Sequence, residues 1–197
     1  RHVLTAGLHG ILHTHTRTAE SVKAFVQITR YPFQETDRDV IGEGLRGAGG
    51  QKPANDIWGL STAEYSKVAD PWPLNPNGEL ILGLKIEDRY CLENVDEIVE
   101  VPGIAFAEWG PGDMGMSLGH PDAHDPPYPQ EMNDARDRIN AALASKGIGF
   151  YASWADDEMT MEQRVDYSID VLKVKMMGAT QEWAEYGRNK TGRTMPW

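Results

Sequence analysis

Apolar positions along the chain follow two alternating rhythms. The most legible stretch is residues 79–87, Glu-Leu-Ile-Leu-Gly-Leu-Lys-Ile-Glu. Side chains of a strand alternate with period two, so Leu80, Leu82, Leu84 and Ile86 share one face, and Lys85 and Glu87 share the other. Further strands are predicted at residues 10–16, 104–109, 148–154 and 172–177. Apolar residues at helical spacing predict helices at about 18–31, 89–101, 129–146, 161–170 and 181–189. Thr18 or Glu20 serves the first turn of the first of these, Pro32 stops it, and Gly147 ends the helix of 129–146. Five strands, each followed by a helix, make a parallel sheet with right-handed crossovers. Residues 33–78 read instead as a long irregular stretch rich in Gly, Pro, Asp and Asn, with one short helix near 61–69. A loop of that length in a compact domain is usually functional or a subunit contact.

An aliphatic face covered by helices, with polar groups at the C-terminal end of the opposite face, is what a barrel strand presents. Glu87 ends one such strand, and Asp113 follows another through Gly110-Pro111-Gly112. Active sites of parallel α/β folds gather at that edge. Two carboxylates from neighbouring strands offer hard oxygen ligands, leaving other positions to water or substrate, which suits Mg²⁺ or Mn²⁺ rather than a closed zinc site. The glycines flanking Pro111 let the backbone approach a ligand closely, and the amides of Gly112 and Asp113 offer donors for a carboxylate. The competing reading is a helix-capping Asp113 and a salt-bridged Glu87.

Composition narrows the classes. With 197 residues, 40% hydrophobic and 25% charged, the chain suits one globular domain, taken here as 1–197. A formal net charge of -11 argues against a nucleic-acid partner. No run approaches the roughly 20 apolar residues of a membrane span, and the start, RHVLTAGLHG, has no signal-peptide core. The single Cys91 excludes an internal disulfide and a cysteine zinc site, and fits a reducing cytoplasm.

The stretch LGLKIEDRYCLENVDEIVEVPGIAFAEWGPGDMGMSLG, residues 82–119, resembles the signature region of the HpcH/HpaI aldolases, which are metal-dependent class II aldolases of 2-oxo acids. The matching pieces are Ile86-Glu87, the run from Glu93 to Ile98, Pro102-Gly103-Ile104, Gly110-Pro111-Gly112-Asp113 and Leu118-Gly119. Upstream, residues 6–32 resemble the family's fourth strand and helix, and GLRGAG, residues 44–49, its Gly-x-Arg-Gly loop. The resemblance is patchy over about 3–175 and most specific at 82–119. It implies a TIM-type (β/α)8 barrel of which this chain covers about strands four to eight. It places the metal ligands on Glu87 and Asp113 and the substrate-carboxylate amides on Gly112 and Asp113. Arg46, in the Gly-x-Arg-Gly loop, is a candidate for binding substrate or phosphate, the alternative being a solvated loop residue. The implied cofactor is a divalent metal, Mg²⁺, Mn²⁺ or Co²⁺, acting as a Lewis acid on a pyruvate-like 2-oxo acid, with an aldehyde as second partner.

The sequence departs from the family pattern in three places. The first three barrel strands, with the family's catalytic histidine and a substrate-binding arginine, are not matched; the expectation is a longer chain whose beginning is missing, with a second chain as the alternative. Lys85 stands where the family usually has Gln, and Glu108 where it usually has an apolar residue, so the two are expected to pair across neighbouring strands. Lys85 and His15 are the catalytic candidates; His13 and His15 are expected on one face of the first strand. His120, Asp122, His124 and Asp125 read as turn formers and subunit contacts, the methionines and tryptophans as packing, and the basic tail from Tyr186 as reaching a neighbouring subunit of a homo-oligomer. The leading expectation is a carbon–carbon lyase. The alternatives are a citrate-lyase-like or malyl-thioester lyase, and a non-catalytic homologue that binds metal and oxo acid.

Overall fold

A computed structural model describes residues 2–194. Its frame is a parallel sheet of five strands: β1 (Gly10–His13), β2 (Pro71–Trp72), β3 (Leu80–Ile86), β4 (Phe106–Trp109) and β5 (Gly149–Tyr151). The order is β1-β3-β4-β5, with β2 paired to the first residues of β3. All pairings are parallel, as strand–helix alternation requires.

The period-two pattern of β3 does what the sequence predicts. Leu82, Leu84 and Ile86 are fully buried in one core with Val22, Phe25 and Val26 of the helix Ala19–Thr29, and with Ile139 and Leu143 of the helix Gln130–Ser145. Burying side chains of this kind contributes about 1.5–3 kcal/mol each. Ala107 and Trp109 of β4 join the same core, so Phe106 and Glu108 face the other side with Lys85. Gly83 has no side chain because the Phe106 ring lies over it. Thr18 caps the helix Ala19–Thr29, its hydroxyl accepting from the Ser21 amide, as expected.

Other expectations are corrected. The helix predicted at 89–101 is two pieces, Arg89–Glu93 and Val95–Ile98, broken where Asn94 turns its side-chain amide to the carbonyl of Arg17. The strand predicted at 172–177 is reduced to one bridge, Tyr151 with Met176. Upstream, Tyr167–Val171 forms a π-helical turn whose carbonyl at Tyr167 accepts from the Leu172 amide, and Lys173 is left-handed, so the chain straightens only near 175. Residues 33–78 are more ordered than expected. The predicted short helix is there (Thr62–Val68, with a full capping box), joined by helices Arg38–Ile41 and Gln51–Trp58 and by β2. These elements enclose a second small core of Tyr31, Ala54, Tyr65 and Ala69. Beneath it, Arg30 and Asp70, both buried, form an ion pair at 2.8 Å. No described helix is long and apolar enough to cross a membrane.

Candidate metal centre

The loops after β1, β3 and β4 converge at the C-terminal edge of the sheet. Glu87, the residue following β3, is fully buried. Its Oε1 accepts the backbone N–H of His15 at 3.0 Å. Its Oε2 lies 2.6 Å from Lys85 Nζ in an ion pair. Lys85 and Glu87 thus share a face, as period two demands. Asp113 lies in the first turn of the helix Pro111–Leu118, 53% exposed, with Oδ2 4.0 Å from Lys85 Nζ. Pro at the first position of this helix costs nothing, because the amide it lacks would have no intrahelical acceptor. For the same reason the amides of Gly112 and Asp113 have no acceptor within the helix.

Gly110 is required where it stands. A Cβ there would meet Glu87 Oε2 at 2.7 Å and Lys85 Cε at 3.4 Å. Gly112 is likewise covered, by the ring of His124, to which a Cβ would come within 2.7 Å.

Donor atoms of His15, Glu87 and Asp113 all lie within 4.8 Å of one another. This set suits a divalent ion that keeps open positions: two carboxylates and an imidazole, one of the carboxylates fully buried. The structure therefore brings together His15, Lys85, Glu87, Gly112 and Asp113. His13 does not join them, contrary to the expectation of a shared face. β1 ends at His13, whose ring stacks on Phe25 in the helix layer at 5.0 Å, while His15 takes a left-handed φ of 48° that turns it to Glu87.

Arg46 is also elsewhere. It is 5% exposed, stacked between the rings of Tyr31 and Tyr65, and its guanidinium donates to the Tyr65 hydroxyl and the Ala69 carbonyl. The expected Lys85–Glu108 pair is corrected too. The two residues are register partners, but the ammonium turns along its own strand to Glu87. Burial raises the pKa of the Glu108 carboxyl, against the pull of Lys85. Burial also lowers that of the Lys85 ammonium, but the attraction of Glu87, with Glu108 and Asp113 behind it, outweighs this and the net shift is upward.

Asp88 is a neighbour that the sequence reading missed. It caps the helix Arg89–Glu93 through the Cys91 amide, pairs with Arg17 at 2.7 Å and lies 3.7 Å from His15 Nδ1. Its position directly after Glu87 and before a helix was the available signal. Burial raises its pKa, but the Cys91 amide and Arg17 outweigh that and hold it below the ordinary value. His124 and Asp125 pair with each other at 2.9 Å in an exposed loop, and His120 pairs with Glu131. A separate cavity of about 590 Å³ lies beneath the C-terminal helix Gln181–Thr191, lined by Ile169, Met176 and Trp183, and includes none of the metal-centre residues.

The chain's relatives share this arrangement's fold. It is 35% identical, over 153 residues, to a 2-keto-3-deoxy-L-rhamnonate aldolase of Klebsiella pneumoniae subsp. pneumoniae, covering 77% of this chain and 50% of that protein. It is 33% identical over the same length and shares to the protein of that name from Salmonella schwarzengrund. The chain thus spans about half the length of the curated relatives it matches. Among solved structures, it superposes on an HpcH/HpaI aldolase/citrate lyase family protein from Burkholderia cenocepacia J2315 with a TM-score of 0.65 at 20% identity, covering 96% of this chain and 65% of that one. An HpcH/HpaI aldolase from Desulfitobacterium hafniense DCB-2 gives 0.65 and 20%, covering 96% and 64%. The model of the HpcH/HpaI aldolase/citrate lyase family matches residues 1–174, the span that carries every strand and all five residues gathered at the sheet edge. With that match, the chain belongs to the HpcH/HpaI aldolase/citrate lyase family.

Proposed function

We propose that this chain carries the metal centre of a divalent-metal-dependent carbon–carbon lyase, which cleaves or forms an aldol bond with pyruvate or a related 2-oxo acid. The observation that carries the reading is the convergence of His15, Glu87 and Asp113 donor atoms within 4.8 Å at the sheet's C-terminal edge. The aldolase names of its half-matched relatives support it. In this reading residues 1–197 are the later part of one (β/α)8 barrel, about strands four to eight, in a cytoplasmic homo-oligomer.

Glu87 and Asp113 would hold the ion, Mg²⁺, Mn²⁺ or Co²⁺, with His15 beside them. The chemistry supplied there is Lewis-acid stabilisation of negative charge developing on the keto oxygen. Gly112 and Asp113 would direct their free first-turn amides at the substrate carboxylate, helped by the positive end of the helix. The half-exposed ring of His15 stands where a proton can be exchanged with solvent. Lys85 would offset part of the acidic charge of the site. Arg46, buried and fully engaged, has no part in this scheme.

The test is pyruvate release by the full-length protein with Mg²⁺, Mn²⁺ or Co²⁺, against chelator controls. Activity should vanish on chelation and in Glu87→Gln. Absence of turnover with every 2-oxo acid aldol tested would overturn the lyase reading in favour of a non-catalytic metal and oxo-acid binder. The Lys85–Glu87 pair is the observation that favours this second reading, since it places an ammonium against the principal ligand.

A further inference from the structure

An ion bound by two carboxylates has no need of an ammonium group against one of them. Lys85 Nζ nevertheless lies 2.6 Å from Glu87 Oε2 and 4.0 Å from Asp113 Oδ2. It lies beside the two carboxylates whose donor atoms converge with that of His15 within 4.8 Å. Two cations at such separations repel by an amount that a half-buried site screens only in part. The lysine stem passes beside Gly110, where an added Cβ would stand 3.4 Å from its Cε. Sideways the ammonium has somewhere to go. Lys85 pairs in register with Glu108 of β4, on the same face, and neighbouring strands lie about 4.8 Å apart, within reach of a lysine rotamer change. Glu108 is half-buried and makes no salt bridge among the described residues.

We propose that Lys85 is a resident counter-cation of the metal site, resting on Glu87 when no divalent ion is bound and crossing the ladder to Glu108 when one enters. The inference rests on the metal reading above. It makes Glu108 a positioning residue that acts on the site through Lys85. Metal uptake is then an exchange of cations, and the chain binds its ion more weakly than the same ligands would alone.

The test is Mn²⁺ titration of the full chain by calorimetry, with free Mn²⁺ counted by electron paramagnetic resonance, and circular dichroism to confirm folding of each variant. Glu87→Gln should lose binding. Lys85→Gln should bind roughly tenfold tighter or more, as removal of a nearby like charge predicts. Lys85→Met, which keeps the stem without the charge, should behave the same way and serves if the first variant folds poorly. Glu108→Gln should weaken binding several-fold, and should do so much less in the Lys85→Gln background, where nothing remains to be received. If Lys85→Gln and Lys85→Met bind no tighter while Glu87→Gln loses binding, the metal site stands and the counter-cation is refuted. Equal effects of Glu108→Gln in both backgrounds refute the crossing, leaving Glu108 acting through its field alone. Absence of Mn²⁺ binding in every variant overturns the metal reading and this inference together.

Discussion

Gly110→Ala gives the sharpest test of how tightly the carboxylate cluster is packed. Gly110 has φ -92° and ψ 96°, values that alanine adopts without strain, so any effect comes from the added methyl and not from the backbone. That methyl would stand 2.7 Å from Glu87 Oε2 and 3.0 Å from Glu87 Cβ, where ordinary contact begins at 3.4 Å. Glu87 cannot step aside cheaply, because it is fully buried, its Oε1 is held by the His15 amide at 3.0 Å, and Lys85 lies against its other oxygen. Overpacking of this kind costs about 1–3 kcal/mol. In a domain of this size each kcal/mol moves the melting temperature by about 2–4 °C, so a fall of roughly 2–12 °C is expected. The displaced carboxylate should also weaken Mn²⁺ binding. Gly49→Ala is the control, since a Cβ there meets nothing within 4 Å. Thermal melting and Mn²⁺ calorimetry on both variants decide the matter. If Gly110→Ala keeps the parent melting temperature and Mn²⁺ affinity, Glu87 moves freely and the wedge argument is wrong.

Three further outcomes follow from buried groups. Asp70→Asn strands the buried Arg30 charge and should cost about 3–5 kcal/mol in chemical denaturation, whereas a double replacement of Arg30 and Asp70 by apolar residues should recover much of it; equal losses in the single and double variants would contradict this. Cys91 is fully buried and its thiol pKa is pushed up to about 12 by burial, so iodoacetamide at neutral pH should label it only when the chain unfolds. Because the folded-state pKa of Asp88 lies below its ordinary 3.8, the stability it contributes is present above that value and is lost as pH falls through the folded one. Asp88→Asn should therefore flatten the acid limb of melting temperature against pH, and parallel limbs in parent and variant would count against the Arg17 and Cys91 contacts as its cause.

Period two made β3 readable, and with it the shared face of Lys85 and Glu87, because a buried strand cannot slip register without exposing its aliphatic face. The strand-edge positions of Glu87 and Asp113 were readable for the same reason. Three kinds of feature were not. The bend at His15 comes from one left-handed residue with no glycine to mark it, so His13 and His15 read as a pair although only His15 reaches Glu87. The break at Asn94 lies inside a continuous apolar rhythm, and only the tertiary bond from its side chain to the Arg17 carbonyl reveals it. Arg46 looks like a substrate contact because of its glycine-rich setting. Its burial depends on Tyr31 and Tyr65, residues 15 and 19 positions away that the fold alone brings onto it. The helix Pro111–Leu118 was legible in principle. Gly-Pro-Gly reads as a break, yet proline at the first helical position starts a helix as readily as it ends a strand.

The register of β3 against β4 carries a consequence for the chemistry. Lys85 opposes Glu108, and Ile86 opposes Trp109. The ladder thus alternates an apolar pair turned to the helices with a charged pair turned to the opposite face of the sheet. A charged pair on that face is stable only if solvent or another charge completes it, since isolated charges in a dry interior are prohibitively costly. The ammonium lies along its own strand against Glu87, which leaves Glu108 with a raised pKa and, among the described residues, no salt bridge. Glu87, Asp113 and Glu108 thus carry three formal negative charges against the single ammonium of Lys85, which lies on Glu87 and near Asp113. A divalent ion at Glu87 and Asp113 would cancel that deficit by releasing Lys85. On the counter-cation proposal a lysine at position 85 is compatible with a metal centre, because Glu108 can receive the ammonium that an incoming ion displaces.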